Sequence, residues 1–257
     1  MTTLSIGKVT LIVHDLDRVA TFYQRAVGMH TLSQENDVML LGSGETSLLE
    51  LRQDKHARQR SAREAGLFHT AFLLPTRADL GAWLKHAAIN RVALQGASDH
   101  LVSEAIYLAD PEGNGVEIYA DRPRDEWRWT SGLVEMASNP IDEIGLLEGA
   151  RGQKWNGFPD ATTVGHVHLQ VGAIPEAEAF YTTLPDMKVT CRYPGATFYG
   201  AHGYHHHLAT NVWNSRGAET REYPSTGLAD VEIVTDDPSL VKTIHDPWNT
   251  SLTFVSR

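Results

Sequence analysis

Only one cysteine occurs in the 257-residue chain, Cys191. It excludes an intramolecular disulfide and any zinc site built on several thiolates. Positive charge is scarce too: 22 Lys and Arg stand against 32 Asp and Glu, a formal net charge of −10, and no basic cluster offsets it locally. Nucleic-acid binding needs a concentrated positive face and is not expected here. No apolar run approaches the ~20 residues that span a bilayer, and the polar opening MTTLSIGK lacks the apolar stretch of a secretory signal. The expectation is a cytoplasmic protein that engages neither membrane nor nucleic acid. A hydrophobic fraction of 42% and a charged fraction of 21% are ordinary for a globular chain. The length suits one large or two modest domains with ample core.

What the sequence does contain is a repeat. VTLIVHD (9–15), TAFLLPT (70–76), VHLQVGA (167–173) and VEIVTDD (231–237) each begin as an alternating apolar run, the pattern of a half-buried strand. The residues just before them are Lys8, His69, His166 and Asp230. Imidazole, a common metal ligand, thus fills the same slot in two copies and is replaced in the other two. After the first strand, VATFYQRAVGM (19–29) reads as a helix that Asp15 or Asp17 can cap, and VMLLG (38–42) with SLLELR (47–52) as a hairpin. The second copy offers a helix near 78–90 and strands at 103–110 and 115–120. The third offers a helix over 174–187 and strands at 189–193, 197–201 and 206–213.

Each copy therefore reads as a βαβββ module, and the fold class as α+β. The expected boundaries are 6–66 and 67–120 for a first pair of modules (1–120). A connecting segment follows over 121–163, with a helix at 141–150 that Asn139 or Asp142 can cap. A second pair (164–257) spans 164–226 and 227–257. The fourth module is shortened. Nine residues separate Asp236 from Asp246, where thirty-four separate Pro75 from Asp110 in the second module, and a helix and two strands do not fit in nine.

His69 opens the second module and Glu117 lies in its last strand, after the turn DPEGNG. First and last strands of such a module can lie close together, so the two side chains can converge on one concave face. An imidazole and a carboxylate so placed are two of the three ligands in the 2-His-1-carboxylate arrangement that holds non-haem iron, and His166 occupies the slot equivalent to His69.

On the segments GLFHTAFLLPTR (66–77), SEAIYLADPEGNGVEIYADRPRDEW (103–127), GHVHLQV (165–171) and GYHHHLATNVW (203–213), the chain resembles the vicinal oxygen chelate superfamily, the glyoxalase/bleomycin-resistance/dioxygenase fold. Within it, the likeness is to two-domain bacterial catechol 2,3-dioxygenases. The resemblance implies cupped mixed β-sheets with helices outside, and an extradiol dioxygenase that opens a catechol-type ring with O2. It also implies a mononuclear Fe(II), alternatively Mn(II), centre. Partners would be a small aromatic diol and O2, with self-association into a homo-oligomer left open.

Many relatives of this kind take the metal ligands from modules three and four. Here Asp230 and Thr253 stand where His and Glu are expected, so the resemblance points instead to modules two and three, with His69, Glu117 and His166 as ligands. Lys8, Glu50, Asp230 and Thr253 would occupy the outer cup, where Lys8 with a carboxylate makes an ion pair in place of a metal. Resemblance to the extradiol pattern His-x-x-Ala implies His206 as the acid–base group, and strand alternation is expected to set His206 on the face opposite His205 and His207. His168 shares a face with His166. The family pattern favours His166 as ligand and His168 as a substrate-pocket residue, although the exchanged assignment is also compatible with the sequence. Asn211 and Trp213 follow on the same strand as pocket-lining or core residues. Two other readings remain within the superfamily. One is a glyoxalase-type metal-dependent isomerase or lyase, which commonly uses a second carboxylate; the other is a non-catalytic small-molecule-binding protein.

Overall fold

The computed structural model describes residues 4–257. Module one runs β1 (Leu4–Val13), α1 (Leu16–Phe22), β2 (His30–Glu35), β3 (Val38–Ser43) and β4 (Thr46–Gln53). Asp15 caps α1 by accepting from the Arg18 amide at 3.0 Å, and Leu16, Val19 and Ala20 face inward. A wider turn over Tyr23–Val27 extends the helix, and Gly28, at φ +108°, ends it. Module two comprises β5 (Gly66–Leu73), α2 (Arg77–Ile89), β6 (Gly96–Asp99), β7 (Ser103–Ala109) and β8 (Gly115–Asp121). The connecting segment forms the short hairpin β9 (Trp129–Thr130) and β10 (Leu133–Val134), then α3 (Glu143–Gly149), which Asp142 caps at 2.9 Å.

Module three comprises β11 (Thr163–Gln170), α4 (Ile174–Tyr181), β12 (Lys188–Tyr193), β13 (Ala196–Gly200) and β14 (Leu208–Asn211). Helix α4 stops six residues before the end expected from its sequence. Thr182 and Thr183 bond back to the carbonyls of Glu178 and Phe180, and Pro185 cannot continue the ladder. Module four retains β15 (Gly227–Thr235), β16 (Lys242–His245) and β17 (Ser251–Ser256), with one 3-10 turn at Pro238–Leu240 in place of the helix. It lacks one strand as well.

The strands make two large curled sheets. One has the order β16-β17-β15-β1-β4-β3-β2 and the other β12-β13-β14-β11-β5-β8-β7-β6. The antiparallel pair β1–β15 joins modules one and four, and the antiparallel pair β5–β11 joins modules two and three. Each sheet thus takes one module from either half of the sequence. The largest apolar core includes Leu11, Leu49 and Leu51 from the first sheet and Phe72, Val167 and Leu169 from the second, together with Trp83 of α2. Among the described residues no helix is long and apolar enough to cross a membrane.

The shortened module is held by a buried brace. Tyr181 of α4 donates to Asp246 at 2.8 Å, and Asp246 also accepts from the amides of Trp248 and Thr250. Burial pushes the Asp246 carboxyl above its ordinary range, so it depends on these donors. Tyr181→Phe is expected to cost ~1–3 kcal/mol, the penalty for an under-satisfied buried acceptor. Urea melts read this directly, and an unchanged midpoint would mean that module four does not fold as a docked unit.

Candidate functional site

Three strands bring the site together. In the parallel pair β5–β8, Ala71 lies opposite Glu117; in the antiparallel pair β5–β11, Ala71 lies opposite His166 and His69 lies opposite His168. His166, Ala71 and Glu117 therefore form one row across the sheet, with His69 two residues along β5 on the same face. The small side chain of Ala71 lets the flanking residues close over it.

His69 Nε2 lies 3.0 Å and His166 Nε2 lies 3.4 Å from the same oxygen, Glu117 Oε2. One ligand atom from each of the three residues lies within 4.8 Å of the other two, and all three residues are buried. Ligands about 2.1 Å from one ion sit roughly 3–4 Å apart, so these separations suit a single metal ion. His69 Nε2 makes no hydrogen bond despite its burial. Its near neighbour is the Glu117 carboxylate, and a cation bound between the two would engage both. The donor set, two imidazoles and one carboxylate, fits a divalent iron or manganese ion.

Protonation favours the same use. Burial pushes His166 down to about 4, leaving its lone pair free at neutral pH. For Glu117 burial acts upward, but the adjacent His166 and His69 more than offset it and hold the carboxyl well below its ordinary range.

These residues line a cavity of ≈320 Å³, whose walls carry Phe68, Phe198, Trp213, Tyr193 and Met136. Among the described residues Glu117 is its only carboxylate, and no Lys or Arg lines it. His168 lies apart from the Glu117 cluster, in an aromatic group with Phe68 (ring centroids 5.0 Å apart) and Trp213 (5.4 Å). His206 reaches the cavity with its ring 4.1 Å from that of His166. Asn211 does not line the cavity. It is fully buried, and its Oδ1 accepts from the Trp213 amide.

The arrangement of the His triplet departs from strand alternation. Tyr204–His207 is an irregular corner, because His202 and Gly203 adopt φ of +54° and +70° and the strand begins only at Leu208. His205 and His206 therefore do not diverge: their Nδ1 atoms are 2.7 Å apart.

Two further cavity residues escape the sequence reading. His100 bonds the Ala137 carbonyl through Nδ1 and the Tyr107 hydroxyl through Nε2, both at 2.6 Å. Tyr107 lies directly opposite Glu117 in the β7–β8 ladder, so register alone marks it; nothing in the spacing marks His100. The outer cup contains an ion pair as expected, with an added partner. Lys8 Nζ lies 2.6 Å from Glu232 and 3.8 Å from Glu50, while Asp230 accepts from Ser251 and Thr253.

The model of the Glyoxalase/Bleomycin resistance protein/Dioxygenase superfamily matches residues 5–118. A catechol-2,3-dioxygenase of Bacillus subtilis (strain 168) is 39% identical over 228 residues, covering 87% of this chain and 80% of that protein. A provisionally named dioxygenase from Bacillus subtilis superposes with a TM-score of 0.68 at 11% identity, over 98% of this chain and 84% of that one. Glyoxalase I from Zea mays superposes with a TM-score of 0.56 at 15% identity, over 99% and 93%. The structural likenesses, at these identities, establish the fold.

Proposed function

Because the chain belongs to the Glyoxalase/Bleomycin resistance protein/Dioxygenase superfamily, we propose that it is a metal-dependent extradiol dioxygenase that cleaves a catechol-type ring with O2. The observation that carries this reading is the convergence of His69, His166 and Glu117 on one point at the floor of an aromatic-walled cavity. The relative named catechol-2,3-dioxygenase supports the substrate class.

In this reading His69, Glu117 and His166 would hold Fe(II), or alternatively Mn(II), and the ion would supply Lewis acidity and a template for diol and O2. Phe68 and Phe198, half-buried in the cavity wall, and Trp213 at its exposed side offer aromatic surface for the ring. His206 is the acid–base group: it takes a proton from a ring hydroxyl and returns one as the ring opens. Burial, with further effects of His166 and His205, holds its protonated form well below the ordinary histidine range, so it enters the reaction as a base. His168 packs beside the substrate. The lone cavity carboxylate favours this chemistry over glyoxalase-type isomerisation, for which a second carboxylate ligand is common.

The test is anaerobic reconstitution with Fe(II), followed by oxygen uptake with catechol and appearance of a yellow semialdehyde. Bound metal without turnover on a panel of catechols would overturn the dioxygenase reading and leave a small-molecule-binding protein. His206→Ala is expected to lower kcat by ~10²–10⁴-fold, the usual worth of a positioned acid–base group, with iron content unchanged. Equal loss of iron and activity would instead place His206 among the ligands.

A further inference from the structure

The wall of the cavity behind His206 contains a chain of three groups with fixed polarity. Glu117, Tyr119 and Asp121 alternate along β8 and so share one face. Glu117 reaches the two histidines, Tyr119 lies against His166 with ring centroids 4.9 Å apart, and Asp121 Oδ1 meets His205 Nε2 at 2.9 Å. His205 is fully buried, with its ring flanked by Tyr204 (4.2 Å) and Trp127 (5.1 Å). Its other nitrogen, Nδ1, lies 2.7 Å from Nδ1 of His206.

We propose that Asp121 and His205 are positioning residues that fix the tautomer and orientation of His206, so that its bare Nε2 faces the cavity. A carboxylate only accepts hydrogen bonds, so His205 carries its proton on Nε2. A neutral imidazole has one N–H, which leaves His205 Nδ1 as an acceptor. Two bare nitrogens at 2.7 Å would repel, so the proton between the rings belongs to His206 Nδ1. Nε2 of His206 is then the lone-pair nitrogen, and His206 is the member of the three that lines the cavity. The opposite tautomer would present an N–H to the substrate hydroxyl and could not act as a base. The catalytic consequence rests on the dioxygenase reading; the tautomer itself does not.

Two variants and one spectrum test the proposal. Asp121→Asn can offer an amide N–H to His205 and reverse both rings, and His205→Phe keeps an aromatic ring in the Tyr204–Trp127 stack while removing the acceptor. At least one of them is expected to lower kcat on catechol by about 100-fold or more, with KM and iron content unchanged. In the Zn(II)-loaded, ¹⁵N-histidine-labelled protein, His206 is expected to show a protonated Nδ1 and a bare Nε2, and His205→Phe to lose that pattern. A protonated Nε2 on His206 in the unmodified protein overturns the proposal, as does unchanged kcat in both variants. If no catechol is turned over but the expected tautomer is observed, the positioning chain stands and the dioxygenase reading falls.

Discussion

Glu117→Ala is expected to weaken Fe(II) or Zn(II) binding by at least about 100-fold, whereas Glu50→Ala leaves it unchanged. Loss of a group that merely orients a ligand costs 10–100-fold, and Glu117 faces both imidazoles directly, at 3.0 and 3.4 Å. Glu50 occupies the corresponding position of the other sheet, opposite Thr10 in the β1–β4 ladder. There the slot held by His69 in the inner sheet is filled by Lys8, whose ammonium pairs with Glu232, while Glu50 is paired by Arg52 at 2.5 Å with Lys8 3.8 Å away. A cation entering that cup would meet a fixed positive charge. Equilibrium dialysis or isothermal titration with both variants separates the two cups. Equal loss in both, or loss in Glu50→Ala alone, would place the metal in the wrong sheet. Oxygen uptake with catechol should follow metal affinity and vanish in Glu117→Ala.

The position of this site was legible because strand periodicity is strict. A residue at the start of each strand keeps its face from module to module, so the Lys8, His69, His166 and Asp230 series sorts the modules into inner and outer pairs. The β5–β11 and β1–β15 pairings make the same division. Legibility failed where the backbone leaves the regular ladder. The register shift in β1 between Ile6 and Val9 lies where Lys8 takes Glu232 as its nearest carboxylate, a pairing that slot-by-slot comparison does not deliver. The left-handed His202–Gly203 turn defeats alternation at His205 and His206. His100 and the Met136–Ser138 wall come from a loop and from the connecting segment, which carry no periodic signal at all. Module four was read correctly as too short for its helix, but the brace from Tyr181 to Asp246 depends on a contact between modules that no local pattern encodes.

Acidification below about pH 6.5 is expected to destabilise the metal-free protein through its buried histidines. Burial is the main cause that holds His166 at about 4, His207 at about 3, and His168 and His206 well below the ordinary value. Their folded-state values lie below the unfolded one of roughly 6.5. Above that pH both states are neutral and these groups do not affect stability. As pH falls through 6.5 the unfolded chain takes up protons that the folded chain refuses, so stability is lost. For His166 the loss levels off near pH 4, and for His207 near pH 3. For His166 and His207 the loss is at most about 1.4 kcal/mol each per pH unit in this window; His168 and His206 act in the same direction, and the raised carboxyls of Asp110 and Asp246 act against it. Typical domains have only about 5–15 kcal/mol in total, so a loss of this size is a sizeable share of the stability. Glu117 does not oppose this, because its carboxyl is ionised throughout the window. Urea midpoints of the metal-free protein at pH 7, 6 and 5 should fall steeply. A metal held by His69, Glu117 and His166 should raise them at every pH, since these three residues converge only in the folded chain. His207→Asn should make the slope shallower without altering metal affinity, because His207 does not line the cavity. Midpoints that stay level from pH 7 to 5 would mean that these histidines take up protons in the folded state, and would remove the lone pair that a metal held by His166 would need.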